Sequence, residues 1–318
     1  MDYVALGRTG LRASVMGLGG GGHSRLGQQA GASLEQSVAI VERALELGIN
    51  FIDTAEAYGT EEVIGRALQH KSRDAIILST KKSIKDGERL ITPLELAQGL
   101  EASLRRLGTD RVDVYHLHAV RADHYDYARD MLVPELLKLQ EQGKIRFLGI
   151  TEAFAPDPAH QMLQRAVLDD CWDVVMVGFN ILNQSARERI FPHTMQRGIG
   201  VLNMFAVRRA FSQPDKLREI VADLLQQGIL PESVGRDAGL NESEPLQFLL
   251  EQGSAQSLPD AAYRFCRAEP GIHVVLSGTG NLRHLEENVE PILRPPLSEK
   301  YRERLLKMFA GVDTVSGQ

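Results

Sequence analysis

Four residues of this sequence have side chains suited to moving a proton: Asp53, Tyr58, Lys81 and His118. A neutral tyrosine can donate a proton, but its unperturbed pKa is about 10. A general acid works best when its pKa lies nearer the working pH. An ammonium within a few ångströms favours the phenolate and lowers that pKa. Lys81 can supply the charge if a carboxylate keeps it protonated, and Asp53 is placed to be that carboxylate. Lowering a tyrosine pKa by about two requires roughly 2.7 kcal/mol of differential stabilisation, within reach of one desolvated neighbour. His118 can then hydrogen-bond a substrate oxygen and orient it. Together the four read as a proton donor poised over a carbonyl.

For these side chains to meet, the backbone must bring strand ends together. Residues 49–54 read as a short buried strand, Gly48 ends the helix before it, and a helical pattern resumes at Glu61. Asp53 therefore falls at the carboxyl end of a strand and Tyr58 in the loop that follows, where parallel α/β folds gather their chemistry. Strand-like runs recur at 15–19, 49–54, 75–81, 112–118, 145–151, 174–180, 200–206 and 273–277. Helical patterns follow them at 33–47 (with a capping box, Ser33 and Gln36), 61–69 and 93–107. Further helices are expected to end near 142–143 and to run through Met162, Arg189 and Leu225, and a short one starts near Leu282. The strands are nearly continuous in apolar residues, as strands covered on both faces should be. Eight strand-then-helix units in 318 residues predict a closed (β/α)8 TIM barrel, residues 1–318 as a single domain. An open doubly wound sheet is the alternative. Residues 1–14 predict an N-terminal β-hairpin turning at 7–10. Segment 207–257, polar and glycine-bearing, reads as a decorated connection that could be a lid. Period-two alternation puts Ile77, Ser79 and Lys81 on one face with Lys82 opposite, and pairs His116 with His118.

Composition narrows the function classes. A net charge of -6 gives no basic surface for nucleic acid, and no basic amphipathic run points to a membrane. No apolar run approaches the length of a spanning helix. The first residues lack the charged and apolar regions of a signal peptide. Two widely separated cysteines, Cys171 and Cys266, suit a reducing compartment rather than a disulfide framework. The expectation is a cytoplasmic monomer or small homo-oligomer acting on a small molecule.

The motifs around the four residues resemble those of the aldo-keto reductase superfamily. Residues 48–65 are similar to its first signature; Ser79-Thr80-Lys81 resembles its lysine strand, and residues 113–118 its histidine strand. Residues 149–152 resemble the end of its fifth strand, and 277–279 through 285–288 its cofactor-binding end. The resemblance implies a catalytic tetrad at Asp53, Tyr58, Lys81 and His118, a carbonyl or alcohol substrate, and NADP(H) bound in extended form without a Rossmann fold. It places the nicotinamide near Thr151, Glu152, Asn180, Met204 and Phe205. The adenine end falls near Ser277, Gly278, Thr279, Arg283, His284, Glu287 and Asn288. Several positions depart from better-known members. Thr151-Glu152 stands where many carry Ser-Asn, and Met176 where a glutamine is usual. Met204, with Phe205 next, stands where an aromatic often stacks on the nicotinamide. Gly278 replaces a basic residue, and His284 falls where an arginine is expected, beside Arg283. NAD(H) therefore stays open. At the last helix, Asn281 can cap the N-terminus, Leu282, Leu285 and Val289 can form the inward face, and Arg283 can meet a phosphate.

Other readings are weighed on the same residues. Gly17 to Gly22 fits G-x-G-x-x-G, but some ten loop residues precede Ser33 where a Rossmann helix would open at once. His116 and His118 could be a zinc pair, yet only Glu152 offers a third ligand, so no metal is expected. Lys81 could form a Schiff base, but a lysine beside Asp and Tyr is better kept charged. Cys171-Trp172 suits packing. His124, Tyr125 and Tyr127 are either solvated or pocket walls. Arg208 and Arg209 either touch phosphate or are solvated. A cofactor-sensing, non-catalytic NADP(H)-binding protein of the same fold remains the alternative function.

Overall fold

The computed structural model describes residues 1–230, 245–251 and 253–318, so part of the expected lid segment lies outside the described residues. Strands β1 (Tyr3–Ala5) and β2 (Arg12–Ser14) form the antiparallel hairpin. Eight parallel strands then close a barrel: β3 (Met16–Gly19), β4 (Phe51–Asp53), β5 (Ile77–Ser83), β8 (Val112–Val120), β9 (Ile145–Glu152), β10 (Val174–Gly178), β11 (Gly200–Met204) and β12 (Val274–Ser277), the last pairing with the first. A two-stranded ribbon, β6 (Lys85–Asp86) and β7 (Arg89–Leu90), follows β5. The open doubly wound sheet is thereby ruled out.

Two apolar layers hold the fold. Inward-pointing Phe51, Ile77, Val114, Val174, Met176, Leu202 and Val274 fill the barrel, and Leu6, Leu11 and Ala13 of the hairpin pack with them. Alternate residues such as Ile52, Leu78, Tyr115, Ile150, Val175 and Val201 pack outward against the helices. The hairpin and the helix starts follow from their sequences. The Ser33–Gln36 capping box forms in both directions, and Thr92 with Glu95 does the same ahead of the helix Pro93–Leu107.

Two helices differ from expectation, each for a proline reason. The helix expected to run through Met162 instead begins there, at Gln161–Ala166, because Pro156 and Pro158 interrupt the chain before it. Asp157 caps it, accepting from the amides of Gln161 and Met162. The helix expected through Arg189 ends there and a second, Phe191–Arg197, follows with Pro192 in its first turn, whereas the helix expected through Leu225 breaks at Gln213 before Pro214. None of the described helices is long and apolar enough to cross a membrane.

Candidate active site

Strand register brings the four sequence-picked residues to one end of the barrel. Asp53, the last residue of β4, sits opposite Ser79; Lys81 sits opposite His116, and Ser83 opposite His118. The fully buried Lys81 Nζ donates to Asp53 Oδ2 at 2.6 Å and to the Thr54 carbonyl at 2.7 Å. Ser79 Oγ donates to the other Asp53 oxygen at 2.8 Å. The Tyr58 hydroxyl lies 3.2 Å from His118 Nε2, their rings meet edge-on, and Lys81 Nζ lies 5.0 Å from the Tyr58 ring centre. Tyr58 and His118 are half-buried and face the mouth. The outward-facing Lys82 also contributes: it pairs with Glu56 at 2.5 Å and so steadies the turn Glu56–Tyr58. Across the mouth, the glycine-rich first loop passes so close that a Cβ on Gly21 would lie 2.6 Å from the Tyr58 ring. These supports, Ser79, Lys82 and Gly21, were not singled out from sequence, although the alternation already put Ser79 beside Lys81.

Burial acts on every charge here. For Lys81 it opposes the charged form, but Asp53 and the phenol outweigh it and the ammonium stays protonated, its pKa raised. Burial raises the Asp53 carboxyl above its ordinary range, with Lys81 pulling it back. The expectation that Lys81 leaves Tyr58 with a lowered pKa is corrected: burial outweighs the lysine and holds the phenol above its ordinary value. Tyr58 is therefore a neutral donor. His118 is held neutral, pushed down to about 3 by burial and then by Lys81. His116, fully buried in space left by Gly149, where a Cβ would lie 2.2 Å from its ring, is lowered well below the usual imidazole range by the same two causes. Neither of its ring nitrogens has a partner among the described residues, and no group of three metal-ligating side chains occurs among them.

Residues 16–307 match the sequence pattern of the aldo/keto reductase family. The chain belongs to this family. It is 29% identical over 300 residues to L-galactose dehydrogenase of Arabidopsis thaliana, covering 92% of this chain and 88% of that protein. An aldo-keto reductase of Bacillus halodurans in its holo form superposes with a TM-score of 0.72 at 24% identity, over 99% of this chain and 98% of that one. A putative aldo-keto reductase of Pseudomonas aeruginosa gives 0.66 at 22% identity, over 91% and 93%. As an aldo/keto reductase the chain is an oxidoreductase acting on carbonyl or alcohol groups, and its family implies a nicotinamide cofactor.

The residues expected to hold that cofactor divide into two sets. Ser277, Gly278, Thr279, His284, Glu287 and Asn288 line a groove of about 1010 Å³ that runs between the loops after β11 and β12. That volume suits a nucleotide, and the groove is bounded by the Asn281-capped start of the helix Leu282–Leu293. The residues present therefore fit the adenosine end. Arg283 does not line the groove; it is 77% exposed and pairs with Glu287 at 3.4 Å. Leu285 and Val289 are buried as expected, whereas Leu282 is exposed.

The second set is engaged within the protein. Glu152 is turned into the barrel wall, accepting from Gly178 N–H at 2.7 Å and pairing with buried His160 at 2.8 Å. Thr151 Oγ1 accepts from Ala119 N–H. Asn180 accepts from the amides of Leu182 and Asn183 and donates to the carbonyls of Phe205 and Ser316. Met204 lies inside the barrel, and Phe205, at a positive φ of 69°, has Arg208 3.4 Å over its ring and Phe154 stacked at 6.1 Å. Phe154 was missed from sequence; nothing in its spacing marks it. Tyr125 points away from the mouth, bonding Asp169 and accepting from Trp172 Nε1.

Proposed function

We propose that the protein is an NADP(H)-dependent reductase, residues 1–318 acting as one domain, that interconverts an aldehyde or ketone and the corresponding alcohol. A sugar is a natural candidate, since the Arabidopsis relative is an L-galactose dehydrogenase. The observation that carries this reading is the Tyr58 hydroxyl held against His118 Nε2 above the buried Lys81–Asp53 pair. A bound dinucleotide supplies the hydride in reduction and accepts it in oxidation. Tyr58 gives its proton to the carbonyl oxygen in reduction and takes one back in oxidation. Lys81, kept charged by Asp53, stabilises the phenolate left behind. Neutral His118 orients the substrate oxygen by hydrogen bonding.

NADP over NAD is favoured by the positive dipole end of the helix Leu282–Leu293 and by Arg283, whose planar fork suits phosphate. Glu287 competes for that arginine, which keeps the preference modest. The work would be done in the cytoplasm on a freely diffusing substrate. Absorbance of NADPH and NADH, followed with a panel of aldehydes, ketones and aldoses in both directions, tests the reading. Saturable turnover is expected. Tight dinucleotide binding with no turnover on any of them would instead support the cofactor-sensing alternative.

A further inference from the structure

Residues 313–318 lie across the catalytic end of the barrel. Asp313 pairs with Arg189 at 2.7 Å. Asn183 donates to the Val315 carbonyl at 2.9 Å, and Asn180 to the Ser316 carbonyl at 3.2 Å. Arg208 Nη1 donates to Ser316 Oγ at 2.9 Å, and the Ala210 amide to the Gly317 carbonyl at 3.1 Å. Gln318 Nε2 then lies 3.1 Å from His23 Nε2. Asn180 and Asn183 follow β10, Arg208 and Ala210 follow β11, and His23 follows β3. The segment thus bridges the loops after β11 and β3, which flank β12 in the barrel, and Ser277 and Gly278 at the end of β12 line the groove.

Arg208 is the feature beneath it. Its guanidinium lies over the Phe205 ring, 3.4 Å from the ring centre, and no carboxylate among the described residues forms an ion pair with it. Burial lowers its pKa to about 10, so it is charged at neutral pH. A partly buried cation with no counter-charge is poorly solvated and favours an anion. Its neighbours Val207 and Phe211 line the groove. Among the described residues its guanidinium has one hydrogen-bond partner, the neutral hydroxyl of Ser316.

We propose that residues 315–318 form a strap over the loops that flank the cofactor groove, in which Ser316 and a dinucleotide phosphate compete for Arg208. The inference rests on the reading that the groove takes a nicotinamide dinucleotide. A charge-assisted, bidentate arginine–phosphate contact is stronger than a hydrogen bond to a neutral hydroxyl, so the phosphate displaces Ser316 and the strap lets go. Apparent affinity is then reduced by the fraction of molecules whose strap is open. Opening also slows association.

Fluorescence titration and stopped-flow mixing of NADPH with the full chain test this, using the parent, Ser316→Ala, Arg208→Gln and the double variant. Ser316→Ala should bind NADPH roughly three- to tenfold more tightly, mainly through faster association. Arg208→Gln should bind about tenfold more weakly, and adding Ser316→Ala to it should change nothing further. Hydrogen exchange gives a second readout that needs no variant: the Ala210 amide, which donates to the Gly317 carbonyl, should lose protection when NADPH binds. Unchanged or weaker binding by Ser316→Ala, or protection that rises on binding, would overturn the strap while leaving the enzyme reading in place. Failure of the parent to bind either NADPH or NADH would remove the functional reading and the strap with it.

Discussion

Side chains at the ends of β4, β5 and β8 reach one another across the mouth, whereas those at the ends of β9, β10 and β11 mostly hold their own loops. In the first region Asp53, Lys81 and Ser79 are bonded strand to strand, and their spacing is fixed by ladder register. In the second, Glu152 is tied to His160 and Gly178, and Asn180 to Leu182, Asn183, Phe205 and Ser316. The half to which the proposed proton transfer belongs is thus bonded strand to strand before any ligand arrives. The half proposed to meet the cofactor is assembled from loop contacts that a ligand can exchange. A catalytic site gains most where its reacting groups are pre-positioned, and loops are the usual place for adjustable binding.

The sharpest way to break this comparison is to remove one atom from the strand-bonded half. Tyr58→Phe should cut turnover by about 10²–10⁴ while leaving dinucleotide affinity close to parental. Steady-state rates on the best substrate, set beside NADPH titration, check it. Parental turnover in the variant would dismiss Tyr58 as the acid.

Lys81→Met should strike stability as well as rate. It leaves the buried Asp53 carboxylate without its partner, a change that typically costs about 3–5 kcal/mol. Urea unfolding should show that loss. Glu152→Gln, in the loop-built half, keeps an acceptor for Gly178 N–H and should cost much less. Equal losses in the two variants would mean that the halves are not built differently.

How much of this could be read from sequence follows the same division. Alternation along β5 separated inward Lys81 from outward Lys82, and the end-of-strand position marked Asp53, because both depend on local geometry with period two. The same alternation, applied to Thr151-Glu152, would have turned Glu152 into the wall, but its partner His160 is set by a loop that Pro156 and Pro158 shape. Non-local contacts such as Arg208 with Ser316 leave no trace in spacing. The sign of the Tyr58 shift is not legible in sequence for a related reason: charge partners are visible there, whereas the desolvation that outweighs them is a property of the folded mouth.

Arg283→Ala probes the helix after β12, outside both halves. It should raise the Michaelis constant for NADPH several-fold, roughly what losing a solvent-exposed charge contact allows, and leave that for NADH unchanged. Equal effects on the two cofactors would show that Arg283 does not read the 2′-phosphate.

The smallest expected effect returns to the strand-bonded half and to its histidines. His118, near 3 in the folded protein, titrates near 6.5 once unfolded, and His116 is lowered in the same direction. The folded state therefore binds fewer protons than the unfolded one between these values, so their contribution to stability is present above about pH 6.5 and is lost as pH falls. Asp53 and Glu152, raised by burial, act in the opposite sense, so the raw pH profile mixes the two. Comparing the parent with His118→Gln cancels the carboxyls. Between pH 7.5 and 5.5 the parent should lose about 1 kcal/mol more than the variant, the linkage of one proton over roughly one pH unit below 6.5. Chemical denaturation at the two pH values measures it, and parallel losses in the two proteins would mean that His118 is not held neutral by its surroundings.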